Sequence, residues 1–468
     1  MAARTITPQE SETAQRLLAN ARQAMAAIAD FDQATVDRLC QAVGWAGANP
    51  ETAERLANMS VDESGMGSRE PKRRGKVLGI LRDALRQKSM GVIEELPDKG
   101  IVKYAKPAGV ICSLIPVTSP YITPIGIAIY AIKCKDAVIF SPHPSSRKTT
   151  NETVRLMRAA LKELGAPEDV LQCVEQPSIP LANELMSICD LTIATGGPAM
   201  VKAAYSSGKP AYGVGAGNAT MVIDETADVV EAARNTAISK TNDNGSGCSA
   251  DGNLVVDESI YDKLLAQLQV EGGYLVNDEE KEQLRRAYWD EEGRRTGDTI
   301  ARSASAVAAK AGIQLPPDKK FFLVEEVNIG KQHPYSTEKL GIVLSVFKAR
   351  GFDDALDKVR QIFETGGRGH SCGIYSFSDD HINRLALMAP VSRIMVRQVQ
   401  SSSNAGTFTN GMPMTSSMGC GIWGGNITNE NVSLKHYMNV TWVSRPIKED
   451  KPSEAELFGE FYRAPITA

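Results

Sequence analysis

The residues best suited to covalent chemistry lie in Asn242-Asp243-Asn244-Gly245-Ser246-Gly247-Cys248-Ser249. One cysteine stands there among small polar residues, between a helical run ending near Lys240 and an apolar strand over residues 253–256. Its glycines permit a tight backbone whose N–H groups lie close to whatever the sulfur holds. Such donors suit a thiolate nucleophile and the oxyanion formed when it attacks a carbonyl. In isolation the same stretch is also a free cysteine in a turn, the commoner fate of lone cysteines. Other turns carry chemistry of their own. Thr195-Gly196-Gly197 opens a helix, where free N–H groups and the helix dipole suit a phosphate or ribose, although glycine there also serves turn geometry alone. Residues 365–374 place His370 in a glycine-rich loop, either as a base or as a histidine bonded into that loop.

These residues need elements to hold them. Residues 8–48 read as two helices from apolar positions three and four apart (Ala14, Leu17, Leu18, Ala21; then Val36, Leu39, Cys40, Val43). Helical pattern continues over residues 51–90 with a break at Gly65–Gly67, and residues 95–106 alternate like an exposed hairpin, a pairing edge for a second subunit. From Pro107 short apolar strands alternate with helices. The strands read as residues 109–115, 136–140, 170–175, 191–194 and 219–223, and the helices between them as 122–133, 149–164, 180–189 and 199–206. That alternation predicts right-handed crossovers and a parallel, doubly wound α/β sheet with ligands at the carboxyl ends of its strands. After a helix over 229–239 and the cysteine loop, a second α/β unit runs from residue 254 to about 422, with strands over 341–347 and 393–399 and a helix over 353–364. Residues 400–425 form a long polar loop able to line a pocket. A last strand, residues 437–443, is expected to join a partner's sheet.

Composition removes several function classes. Net charge is −4, so no basic surface argues for nucleic acid or anionic membrane. The longest apolar run, residues 122–132, is too short to span a bilayer, and residues 1–5 lead into a polar helix rather than a signal core. Eight cysteines without a CxxC pair fit reduced cytoplasmic thiols, and five dispersed histidines give no metal centre.

Together these pieces resemble the aldehyde dehydrogenase superfamily, and within it the coenzyme A-acylating branch, over nearly the whole chain. The resemblance rests on Ser141-Pro142-His143-Pro144, Ala194-Thr195-Gly196-Gly197, residues 203–218 ending in Gly215-Ala216-Gly217-Asn218, Asp243-Asn244-Gly245 ahead of Cys248, Gly369-His370, and residues 419–426. It implies two Rossmann-type domains with an oligomerisation hairpin: residues 1–238 for the dinucleotide, 239–424 for the nucleophile, and 425–468 returning to the first domain with an oligomerisation strand. A homodimer or homotetramer is expected by analogy. It implies that Cys248 forms a thiohemiacetal and then a thioacyl-enzyme. Thr118 falls where hydrolytic relatives carry an oxyanion-binding amide. Glu338 would hold the nicotinamide ribose, and Ser141, His143, Thr195, Gly196, Gly197, Val214 and Gly215 would lie along the cofactor.

Val214 is the informative departure. Hydrolytic members carry a glutamate there to activate water, and valine accepts no proton. A thiol such as coenzyme A ionises nearer neutral pH and needs less help, so thioester exchange is favoured over release of an acid, with His370 a candidate base for that thiol. Arg393 and Arg397, four apart on one expected strand, face the same side. Arg393 is either structural or joins Arg397, which with Ser401, Ser402, Ser403 and Asn404 could hold an anionic head, since a guanidinium fork suits sulfonate or carboxylate. The favoured substrate is therefore sulfoacetaldehyde, ahead of succinate semialdehyde. Arg147 and Lys148 either accept a 2′-phosphate, tilting cofactor choice from NAD toward NADP, or are solvated helix-start charges. A hydrolytic dehydrogenase and a catalytically silent binding or cargo protein are the competing readings. The intact cysteine loop speaks against the second.

Overall fold

The computed structural model describes residues 4–70 and 74–463. The helical continuation expected through residues 71–73 and the reading of residues 1–3 fall outside them. The expected hairpin is formed by β1 (Gly91–Leu96) and β2 (Ile101–Pro107). Next come β3 (Val110–Ile115), β4 (Ala137–Pro142), β5 (Leu171–Cys173), β6 (Leu191–Thr195) and β7 (Ala211–Val214). They build a parallel sheet in the order β5-β4-β3-β6-β7. All six residues of β3 and of β4 are buried, as the near-continuous apolar runs of a doubly covered parallel sheet require. The chain reverses its direction of winding between β3 and β6, and such a switch point opens a crevice at the strands' carboxyl ends.

The apolar run after β3 is the helix Ile122–Lys133, buried along its whole length and packed among the helices Gln33–Ala48 and Arg74–Leu85. Its terminal Lys133 is buried too, and Asp37 supplies the countercharge. Among the described residues no helix is long and apolar enough to cross a membrane.

The second sheet is also parallel and contains β8 (Thr220–Ile223), β9 (Asn253–Asp257), β10 (Gly273–Leu275), β11 (Phe321–Glu325), β12 (Val343–Ala349), β13 (Cys372–Tyr375) and β14 (Ile394–Val396), ordered β10-β11-β12-β9-β8-β13-β14. β8 lies between β9 and β13 in this sheet. The chain therefore leaves the first sheet after Val214, ahead of the boundary expected at 238, and the helix Val229–Thr241 is a crossover inside the second unit. One further expectation shifts. The strand expected over 393–399 is only Ile394–Val396, because Arg397 turns into the left-handed region with φ 50° and ends it. The last strand, β15 (Met438–Ser444), pairs antiparallel with β2 of its own chain and forms the edge of the three-stranded sheet β1-β2-β15.

Candidate active site

The loops after β3, β4, β6 and β7 and the loops before β9 and β12 line one cavity of about 570 Å³. The first sheet offers its carboxyl ends: Pro116–Ser119, His143, Thr195–Pro198 and Val214–Ala216. The second sheet offers its amino ends: Asn242, Ser246–Ser249, Glu338 and Leu340.

Cys248 stands in this wall because its loop is bent in two places. Asp243 and Asn244 both adopt positive φ, 50° and 53°, a region that the short polar side chains of Asp and Asn tolerate better than most. The bend is braced from the 65–68 segment: Ser68 N–H donates to Asp243 Oδ1 at 2.6 Å, and Asn244 Nδ2 donates to the Gly67 carbonyl at 2.8 Å. From the other side Gly217 comes so close that a Cβ there would stand 1.9 Å from the Cys248 carbonyl oxygen. Only glycine fits.

His370 reaches the sulfur. Its Nε2 lies 3.0 Å from Cys248 Sγ, and its Nδ1 lies 2.8 Å from Ser371 Oγ. Burial pushes the thiol up to about 12, with the Glu338 carboxylate adding to the effect. Burial also pushes the imidazole down to about 3, helped by the charge of Arg393. Thiol and imidazole are therefore both neutral at rest. With the ring proton on Nδ1 donated to Ser371, Nε2 is left to accept the thiol proton. Among the described residues the Cys248 N–H has no acceptor.

Glu338 faces the same cavity and is the one carboxylate among the described residues lining it. Its Oε1 accepts from the Gly217 N–H at 3.0 Å. Burial raises it to about 7, while Arg295 and the Gly217 N–H pull it back. Val214 is buried in the wall and brings no polar group.

The remaining expected residues divide. Thr118, His143, Thr195, Gly196, Gly197, Gly215, Ser401 and Ser402 line the cavity. Ser141 is buried in β4 beside Leu114 and does not. Arg147 lies outside it as well and donates to Gln176 at 2.5 Å. The pairing of Arg393 with Arg397 is corrected. Arg393 is buried and spends its guanidinium on three carbonyls, those of His370 (3.1 Å), Gly419 (2.6 Å) and Asn429 (3.0 Å). It positions the His370 loop. Arg397 is exposed and lies 4.0 Å over the Phe377 ring, because the strand that would have aligned it with Arg393 has already ended. Ser403 and Asn404 are also corrected: both are buried in the short helix region, with Asn404 Nδ2 donating to the Gln400 carbonyl at 2.7 Å. The sequence reading missed Lys76 and Arg295, both in the cavity wall. Arg295 lies in a polar stretch without a regular apolar period, and the helical pattern around Lys76 does not say what that helix packs against.

Among the described residues one grouping could hold a metal, Asp224, Glu225 and His381. It sits at the carboxyl ends of β8 and β13, the end of the second sheet away from Cys248. His381 is already engaged there by Asp224 at 2.8 Å and by stacking on Phe352.

The sequence model of the aldehyde dehydrogenase family matches residues 3–310. A sulfoacetaldehyde dehydrogenase of Acholeplasma is 44% identical over 95% of this chain and 93% of its own. An acylating sulfoacetaldehyde dehydrogenase of Bilophila wadsworthia is 41% identical over 95% and 97%. Among solved structures, an acetylating aldehyde dehydrogenase from Geobacillus thermoglucosidasius superimposes with a TM-score of 0.90 at 34% identity, covering 95% of this chain and 99% of that one. The Rhodopseudomonas palustris propionaldehyde dehydrogenase with bound CoA and an acylated cysteine matches with a TM-score of 0.81 at 26% identity, covering 92% and 97%.

Proposed function

The chain belongs to the aldehyde dehydrogenase family, and we propose that it oxidises a short anionic aldehyde to its coenzyme A thioester with NAD(P) as electron acceptor. Cys248 is the nucleophile. As its sulfur adds to the aldehyde carbon, the thiol proton passes to Nε2 of His370 over the 3.0 Å contact. Because both groups rest neutral, transfer accompanies formation of the C–S bond rather than preceding it. The Cys248 N–H, with Thr118 opposite, receives the developing oxyanion. The cavity residues fit a dinucleotide: a buried Glu338 carboxylate suits ribose hydroxyls, and Gly197 leaves open space where a Cβ would stand. When bound, NAD(P) supplies the hydride acceptor that converts the thiohemiacetal into a thioacyl-enzyme.

Val214 is the observation that carries the acylating reading. Water needs a base to attack a thioester, and the wall offers valine where that base would stand. Thioester exchange needs none there. Once His370 has released its first proton to solvent, it takes the proton of the coenzyme A thiol as that sulfur adds to the acyl carbon, and returns it to the Cys248 sulfur as the Cys248–acyl bond breaks. The acylated cysteine of the propionaldehyde dehydrogenase supports this route. Sulfoacetaldehyde is the preferred substrate, supported by the relatives of that name, with succinate semialdehyde next.

The cofactor lean toward NADP rests on Arg147 and Lys148. All eight cysteines are free thiols, which supports a reducing cytoplasmic setting. A homodimer or homotetramer would cover the sheet face that exposes Val440 and Trp442. Steady-state assays of sulfoacetaldehyde, succinate semialdehyde and propionaldehyde, with NAD and with NADP, test these choices together. Indifference to which aldehyde is supplied would defeat the substrate assignment.

A further inference from the structure

With Arg397 on the surface, the cavity must find its cation elsewhere. Two adjacent arginines contrast. Arg294 is exposed and neutralised within its own loop by Asp290 (2.9 Å) and Glu292 (2.8 Å). Arg295 turns the other way into the cavity wall. Its backbone is fixed there: it bridges Trp289, Asp290 N–H bonds the Arg294 carbonyl at 2.9 Å, and Thr296 N–H bonds the Tyr288 carbonyl at 2.8 Å.

Two nitrogens of the Arg295 guanidinium are unsatisfied. Its Nε and Nη1 are shielded from solvent and have no hydrogen-bond partner among the described residues, and no described carboxylate lies within ion-pair distance. Arg295 is half-buried, and two guanidinium donors withdrawn from water without a partner are costly, so a group kept this way is poised for an anion that arrives with the ligand. Glu338 is near enough to feel its charge yet stays bonded to the Gly217 N–H.

We propose that Arg295 is the anion-binding residue of the catalytic cavity, receiving a sulfonate, carboxylate or phosphate oxyanion bidentately on Nε and a terminal nitrogen. The inference rests on the reading of this cavity as the aldehyde and dinucleotide site. The same oxyanion chemistry is carried by the charged head of the aldehyde and by the diphosphate of the dinucleotide, so the test separates them.

Arg295→Met removes the charge at similar length, Arg295→Lys keeps the charge without the fork, and Arg294→Met is the surface control. Isothermal titration of each folded variant with 2-hydroxyethanesulfonate, the stable alcohol analogue of sulfoacetaldehyde, and separately with NADP+ reads binding without turnover. Arg295→Met should weaken one of the two ligands by roughly tenfold to a hundredfold, with Arg295→Lys in between and Arg294→Met unchanged. Loss confined to the sulfonate assigns the aldehyde head, and loss confined to NADP+ assigns the diphosphate. Unchanged affinity for both ligands in Arg295→Met, or in Arg295→Lys should the methionine variant not fold, overturns the proposal. If the wild-type enzyme shows no coenzyme A-dependent turnover, the functional reading fails, while these titrations still decide whether Arg295 holds an anion.

Discussion

The two sheets serve one cavity from opposite ends. The first presents the carboxyl ends of β3, β4, β6 and β7, where doubly wound sheets generally bind nucleotides. The second presents the amino ends of β9, β12 and β13, and there it holds Cys248, Glu338 and His370. The difference separates two kinds of work. The carboxyl-end half is made of turns and glycines that admit a ligand. The amino-end half is made of side chains held rigidly: Gly217 pressed on Cys248, Arg393 tied to three carbonyls, Asn244 tied to Gly67. Binding is assigned to the first half and bond-making to the second, with Glu338 reaching across.

That division is open to breakage at named residues. The largest effect is expected for Cys248→Ala, which should lower aldehyde oxidation on the order of a thousandfold or more while leaving dinucleotide affinity intact by fluorescence titration. Loss of dinucleotide binding as well would mean the halves are not separable. His370→Ala should follow, with kcat reduced about a hundredfold or more and the KM for dinucleotide unaltered in steady-state assays. Because the imidazole is held near 3, its protonation should not limit activity anywhere above about pH 5.

Gly217→Ala tests the bracing. A Cβ 1.9 Å from the Cys248 carbonyl oxygen forces the loop to move, so denaturant unfolding should show a loss of about 1–3 kcal/mol together with reduced kcat. Glu338→Gln sharpens the bridge between the halves. The Glu338 carboxyl sits near 7, so its charge is present above that pH and lost as pH falls through it. The wild-type KM for dinucleotide should therefore rise below about pH 7, and that limb should vanish in the variant, with KM raised roughly tenfold at pH 8. The smallest effect belongs to Arg397→Ala. Being stacked on Phe377 outside the cavity, it should leave the KM for sulfoacetaldehyde within about twofold and stability within about 0.5 kcal/mol.

Much of the carboxyl-end half could be read from sequence, because strand-to-helix alternation locates its turns and a general rule says that ligands gather there. Cys248 was legible from the small polar residues around it. The contact between His370 and Cys248 was not, since it depends on β13 lying two strands from β9 in the second sheet, a pairing that no local pattern encodes. The same gap misplaced the arginines. Same-side spacing holds only while a strand continues, and the left-handed turn at Arg397 cannot be read from its side chain. The boundary expected at 238 falls late because the strand over 219–223 is grouped with the first sheet, although as β8 it is central to the second. Arg295 escaped notice because its segment is polar and aperiodic, and only the fold brings it to Glu338.

Thioester exchange through Cys248 is favoured in a cavity whose wall offers valine where a water-activating carboxylate would stand. Reduction of NAD and NADP by the purified enzyme with sulfoacetaldehyde, followed by absorbance with and without coenzyme A, tests it most directly. Turnover that requires coenzyme A and yields the acyl thioester is the predicted result. Sustained turnover without it, releasing the free acid, would show that Glu338 or another group activates water against the thioacyl-enzyme, and would contradict the reading of Val214.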